Sequence, residues 1–122
     1  MHLVPLLPLL VLLAACQPPP GGRAAMPGTD AEAGLAAMHR AGCGACHRIP
    51  GIDWPRGELG PSLDGVAGQT LIAGRLPNQP ELLAAYVRNA PALTPETTMP
   101  AMPISEKEAR DVAAYLYSLA AD

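Results

Sequence analysis

Phenylalanine is absent from this 122-residue chain, which has one tryptophan (Trp54) and three tyrosines (Tyr86, Tyr115 and Tyr117). Hydrophobic residues still make up 49% of it, but much of that share is alanine and leucine, so large core-filling side chains are scarce. A domain this small buries too little surface to be robust, and an aromatic-poor one calls for a non-protein body in its middle. Basic clusters are missing too: eight Lys and Arg stand against eleven Asp and Glu, for a net charge of −3. No stretch interleaves cations with aromatics, which argues against nucleic-acid binding. With only three cysteines, Cys16, Cys43 and Cys46, the chain has no Cys-rich second half for a zinc site.

The one sustained apolar run, Leu3 to Ala15, is too short to span a bilayer comfortably and ends in small residues just before Cys16. It reads as a secretion signal. "LAAC" (13–16) resembles the lipobox of bacterial lipoproteins, which implies lipidation of Cys16; an ordinary signal peptide with an incidental cysteine is the alternative. From Gln17 to Thr29 the chain is Pro/Gly-rich with no apolar period. It is expected to be an extended tether with a reach on the order of 40 Å, and Met26 within it has no apolar neighbours in sequence. The expected organisation is a signal peptide over 1–15, a lipid-anchored tether over 16–29 and one domain over 30–122.

Within that domain three helices are expected. Thr29 with Glu32 reads as a capping box opening "DAEAGLAAMHRAG". Asn78 with Glu81, and Pro80 in the first turn, opens "QPELLAAYVRNA" with a Leu82, Leu83, Tyr86, Val87 stripe. Ser105 with Glu108 opens the longest, in which Val112, Tyr115, Leu116 and Leu119 repeat at helical spacing. "TLIAG" (70–74) reads as a further turn of helix, and no stretch alternates as a strand. The Gly/Pro-rich connection "IPGIDWPRGELGPSLDGVAG" (49–68) is long for a compact domain unless it serves a site. The fold class is therefore all-α with long functional loops.

"AGCGACHRIP" (41–50) places Cys43, Cys46 and His47 within five residues. A Cys-x-x-Cys pair can cycle as a dithiol, supply half a zinc site or, with a following histidine, attach haem. Structural zinc needs four ligands, and the remaining candidates are His2, His39, Cys16 and the acids. His39, four residues before Cys43 on the first helix, reads as solvated. Thiol redox suits an exported compartment but expects a strand-then-helix setting, whereas this motif follows a helix and enters a loop. Haem accounts for every residue: each thiol adds across one vinyl group and the imidazole becomes an axial ligand. Met99 and Met102, in a proline-rich loop before the last helix, are the candidate second axial ligands.

With "CGACH", "GPSL" some fifteen residues on, "MP" before the final helix and "AAYLYSL" within it, the chain from about Asp30 onward resembles the class I (monohaem) cytochromes c. That resemblance implies three to five helices wrapped around one haem c, held covalently through Cys43 and Cys46. It implies His47 and Met99 as axial ligands, the Pro61 carbonyl as acceptor from the His47 ring, and Leu63 packed near the haem. Met102 is the alternative to Met99 and sits unusually close to the last helix for the family. Gly34 and Tyr115 match the family's small and aromatic crossing residues, while Met38 stands where an aromatic is common. The stretch from Leu71 to Pro100 further resembles small cytochromes associated with haem-copper terminal oxidases. Gln69, Arg75 and Asn78 are weighed as propionate partners against plain surface polarity.

The resulting expectation is a monomeric electron carrier, not an enzyme, whose iron cycles between ferric and ferrous in a membrane-associated respiratory chain. Its partners are expected to be redox proteins, either a haem-copper oxidase or a quinol-oxidising complex. Its location is expected to be periplasmic or extracytoplasmic, anchored through Cys16. A haem peroxidase or dehydrogenase subunit, and a thiol oxidoreductase, are the competing readings.

Overall fold

The computed structural model describes residues 26–119. Helix α1 (Ala31–Ala41) starts at Asp30, whose side chain accepts the N–H groups of Glu32 and Ala33. The expected cap, Thr29, instead donates its hydroxyl to the Met26 carbonyl. A carboxylate acceptor at the positive end of a helix serves better than a neutral hydroxyl. The helix stops at Gly42, which adopts a left-handed conformation (φ 77°) and returns its N–H to the last turn.

A single turn of 3-10 helix follows at Cys43–Ala45 and another at Val66–Gly68. "TLIAG" is not helical: Leu71–Ile72 (β1) and Leu76–Pro77 (β2) pair antiparallel. The three-residue connection Ala73–Arg75 is closed by the Arg75 N–H on the Ile72 carbonyl at 3.0 Å, and positive φ at both Ala73 and Gly74 is the signature of a type I′ turn. Helix α2 spans Pro80–Arg88, α3 Ala90–Leu93 and α4 Glu106–Ser118. Gln79, not Asn78, precedes α2 and makes no side-chain cap bond; Pro80 in the first turn needs no N–H partner of its own. The expected capping box of Ser105 and Glu108 is formed in both directions.

Helices α1 and α2 both pack on α4. At the α1/α4 crossing Gly34, Ala37, Ala109 and Ala113 are all buried, and a methyl on Gly34 would overlap the Asp111 carbonyl and lie 2.8 Å from the Val112 nitrogen. Close backbone approach is the reason for a mid-helix glycine that costs about 1 kcal/mol in propensity. Asp111 reinforces the crossing. Although nearly fully buried, it accepts the Asp30 N–H at 2.9 Å and pairs with Lys107 at 2.8 Å. Burial pushes its carboxyl up, but Lys107, the Asp30 N–H and nearby Arg110 together hold it below the ordinary aspartate value.

Met38 and Leu116 are the largest fully buried side chains. Met38 fills the core with a flexible thioether where an aromatic was the family expectation. Met26 departs from the sequence expectation: it is buried in the core, and Arg110 bonds the adjacent Pro27 carbonyl. The packed structure therefore includes Met26–Thr29.

Candidate functional site

Because α1 ends at Gly42, the cysteine segment leaves the helix as a tight turn, with the Cys46 and His47 N–H groups both bonded to the Cys43 carbonyl. That turn sets both half-buried thiols and the imidazole in one short arc. Burial pushes the Cys43 thiol up, and neighbouring Cys46 adds to this, against the lowering by its own backbone hydrogen bond. Reactive redox thiols need the opposite environment.

The long connection folds back over this turn. Gly57 N–H bonds the Gly44 carbonyl at 2.8 Å, Gly60 N–H bonds the Cys46 carbonyl at 2.7 Å, and Leu63 N–H bonds the Arg48 carbonyl at 2.9 Å. Gly60 lies against the imidazole so closely that a Cβ there would sit 2.7 Å from Nδ1. Pro61 then presents its carbonyl 2.7 Å from His47 Nδ1. A carbonyl only accepts, so Nδ1 carries the proton and Nε2 keeps its lone pair. Leu63 is half-buried against the core.

His47 and Pro61 are thus brought together directly, and Cys43, Cys46 and Leu63 belong to the same backbone network. Met99 is held separately: its N–H bonds the Thr97 hydroxyl at 3.2 Å, and Thr97 N–H bonds the Thr94 carbonyl. Met102 is pinned by its N–H to the Arg88 carbonyl at the end of α2. Both methionines are half-buried. Arg75, weighed above as a propionate partner, pairs with Glu96, tying the hairpin to the methionine loop. Asn78 is buried, donates to the Val66 and Gln69 carbonyls and accepts the Tyr117 hydroxyl, so its amide is committed inside the protein. Gln69 itself is exposed. His39 is exposed on α1. Tyr115 reaches past the crossing to bond the Pro50 carbonyl. Cys16 lies outside the described residues.

The sequence reading missed Gly57 as part of the site and quoted Gly60 only within "GPSL", without a role of its own. Their signal was the glycine spacing in "RGELGP", which is unexplained until the connection is seen to fold onto the cysteine turn.

The donor set fits a covalently attached haem. It offers two thiols in one turn and an imidazole oriented by its second nitrogen with Nε2 left available. Among the described residues no three His, Cys, Asp or Glu side chains gather as a metal site, which disfavours structural zinc. A family model described as Cytochrome c matches residues 31–120. No curated protein matches the chain significantly.

Proposed function

The chain belongs to the cytochrome c family, and from that premise we propose that it carries electrons with His47 and Met99 as axial ligands, shuttling at a membrane surface to or from a respiratory oxidase. The coarser part follows from the family itself: this is a haem-based electron-transfer protein, not an enzyme, and its partners are redox proteins. When bound, the haem supplies a one-electron ferric/ferrous couple.

The observation that carries the reading is the His47 to Pro61 hydrogen bond of 2.7 Å. It fixes the ring tautomer, makes Nε2 the more basic donor and prevents the ring from turning away. Gly60 supports the same orientation by leaving room for the imidazole face. Cys43 and Cys46 anchor the group through thioethers. Met99 brings a soft thioether that favours the reduced state. It is preferred to Met102 because its spacing from the last helix suits the family.

Three further points belong to the proposal. Lipidation of Cys16 would hold the domain at a membrane, consistent with the absence, among the described residues, of a helix long and apolar enough to cross one. Export follows from the apolar leader and suits a cofactor that cannot dissociate. A haem-copper oxidase or a quinol-oxidising complex is the partner class that the Leu71–Pro100 stretch suggests.

The test is a pair of variants, Met99→Ala and Met102→Ala, followed by the sulfur-to-iron charge-transfer band of the ferric holoprotein. Loss of the band in Met99→Ala and its survival in Met102→Ala is the expected result. The reverse pattern reassigns the ligand, and absence of the band in the wild type rejects methionine ligation.

A further inference from the structure

The connection from Arg48 to Asp64 does more than hold His47. Its bonds to Gly44, Cys46 and Arg48 fasten it over the cysteine turn, yet its two largest apolar side chains face water. Trp54 is 81% exposed and Leu59 89%. Among the described residues only Leu71 joins them as an exposed large apolar side chain. A lone exposed leucine is ordinary; the sole tryptophan of an aromatic-poor chain, standing in solvent on the same fastened loop as a leucine, is not.

The same connection carries Arg48, Asp53, Arg56, Glu58 and Asp64, all exposed. None of the five makes a side-chain hydrogen bond or ion pair among the described residues. Arg48, Asp53, Arg56 and Asp64 border a cleft of about 390 Å³ whose apolar lining includes the buried Ile49 and Ile52. Unpaired charges of both signs, exposed apolar side chains and a cleft on one connection have the mixed composition of a protein interface.

We propose that this loop is the docking surface for the protein redox partner, with Trp54 and Leu59 as anchors. The inference rests on the electron-carrier reading above. Charge selects the class of occupant: with three acids (Asp53, Glu58, Asp64) against two arginines (Arg48, Arg56) the loop has no net attraction for an anionic lipid surface, whereas a protein face bearing both signs can pair with the acids and with the arginines alike. Because the loop is bonded to the Gly44 and Cys46 carbonyls, a partner docked on it sits over the cysteine turn. In each encounter one electron crosses, the donor is oxidised by one unit, the acceptor is reduced by one, and no bond is made. Apolar contact dominates, so the rate falls only shallowly with salt.

The test uses the full-length holoprotein and native respiratory membranes from the cell that makes it. Trp54→Ala/Leu59→Ala is expected to lower the second-order rate of electron exchange with those membranes about tenfold or more, with the visible spectrum and the rate of oxidation by ferricyanide unchanged. A double variant that matches wild type on the membranes overturns the docking surface. A wild type that exchanges no electrons with the membranes rejects the carrier reading instead. As an independent readout, 5-fluorotryptophan labels only Trp54. The solvent isotope shift of its fluorine resonance between H2O and D2O should shrink with native membranes and not with vesicles of their extracted lipids, which would engage only the Cys16 anchor; a loss of the shift with the lipids alone makes the occupant a bilayer and overturns the proposal.

Discussion

Gly60 and Asp111 show how single atoms decide the behaviour of this domain. A methyl at Gly60 would overlap the His47 ring, which is already held by Pro61 and cannot step aside. Gly60→Ala is expected to cost about 1–3 kcal/mol by overpacking, measured by denaturant unfolding of the holoprotein, and to shift the His47 ring resonances. Unchanged stability together with unchanged resonances would show that the ring is not confined by this glycine. Asp111 acts through charge. Its folded-state carboxyl is held below the ordinary range, so its stabilisation is fully present above the unfolded value of about 4 and is lost as pH falls through the lower folded value. Asp111→Asn is accordingly expected to cost about 1.5–3 kcal/mol at neutral pH, and the gap to wild type should close on acidification below about pH 4. A gap independent of pH would mean that packing, not charge, is what the substitution removes.

At the scale of elements, the crossing of α1 and α4 turns on Gly34, and the hairpin turns on Ala73. Gly34→Ala would gain about 1 kcal/mol of helix propensity, but the new methyl meets Asp111 backbone, which no rotamer change relieves. The expected net effect is destabilisation of about 1–3 kcal/mol, and a thermal melt that moved upward would contradict the close crossing. Ala73 has the opposite prospect. It holds φ 51°, a conformation costing an ordinary L-residue about 1–2 kcal/mol, so Ala73→Asn should stabilise the holoprotein by about 0.5–1 kcal/mol in the same assay. The two elements also show what was legible. Gly34 was readable because a glycine inside a strong helical period needs a tertiary reason, and the family resemblance supplied one. The hairpin was not, because strands of two residues show no alternation and Ala73 is not a residue that announces a left-handed turn. Asp30 displaced Thr29 as the cap for a comparable reason: adjacent side chains competed for one role, and the choice depended on Met26, whose burial no local pattern signals.

As a whole molecule, the domain has a thin core for its size, with Met38 and Leu116 its largest fully buried side chains. The missing bulk was the most informative feature of the composition, and the cysteine turn offers attachment for a group that would fill it. The site was legible where chemistry is written in adjacent residues, as in Cys43, Cys46 and His47. It was illegible where chain reversal is needed, as in the folding of Gly57 and Gly60 onto that turn. If the haem completes the core, Cys43→Ala/Cys46→Ala should lack it and lose cooperative folding, which circular dichroism with thermal melting would detect; a sharp cooperative melt of the haem-free variant would show that the protein core suffices. The central claim, a closed electron-transfer iron rather than an open reactive one, is tested most directly by the visible spectrum of the dithionite-reduced holoprotein before and after carbon monoxide. Bands of the c type that carbon monoxide leaves unchanged are predicted, because His47 and Met99, as the proposed ligands, would leave no axial position open. A shifted Soret band would mean an open or easily opened sixth position, and would contradict the assignment of the protein as a simple electron carrier.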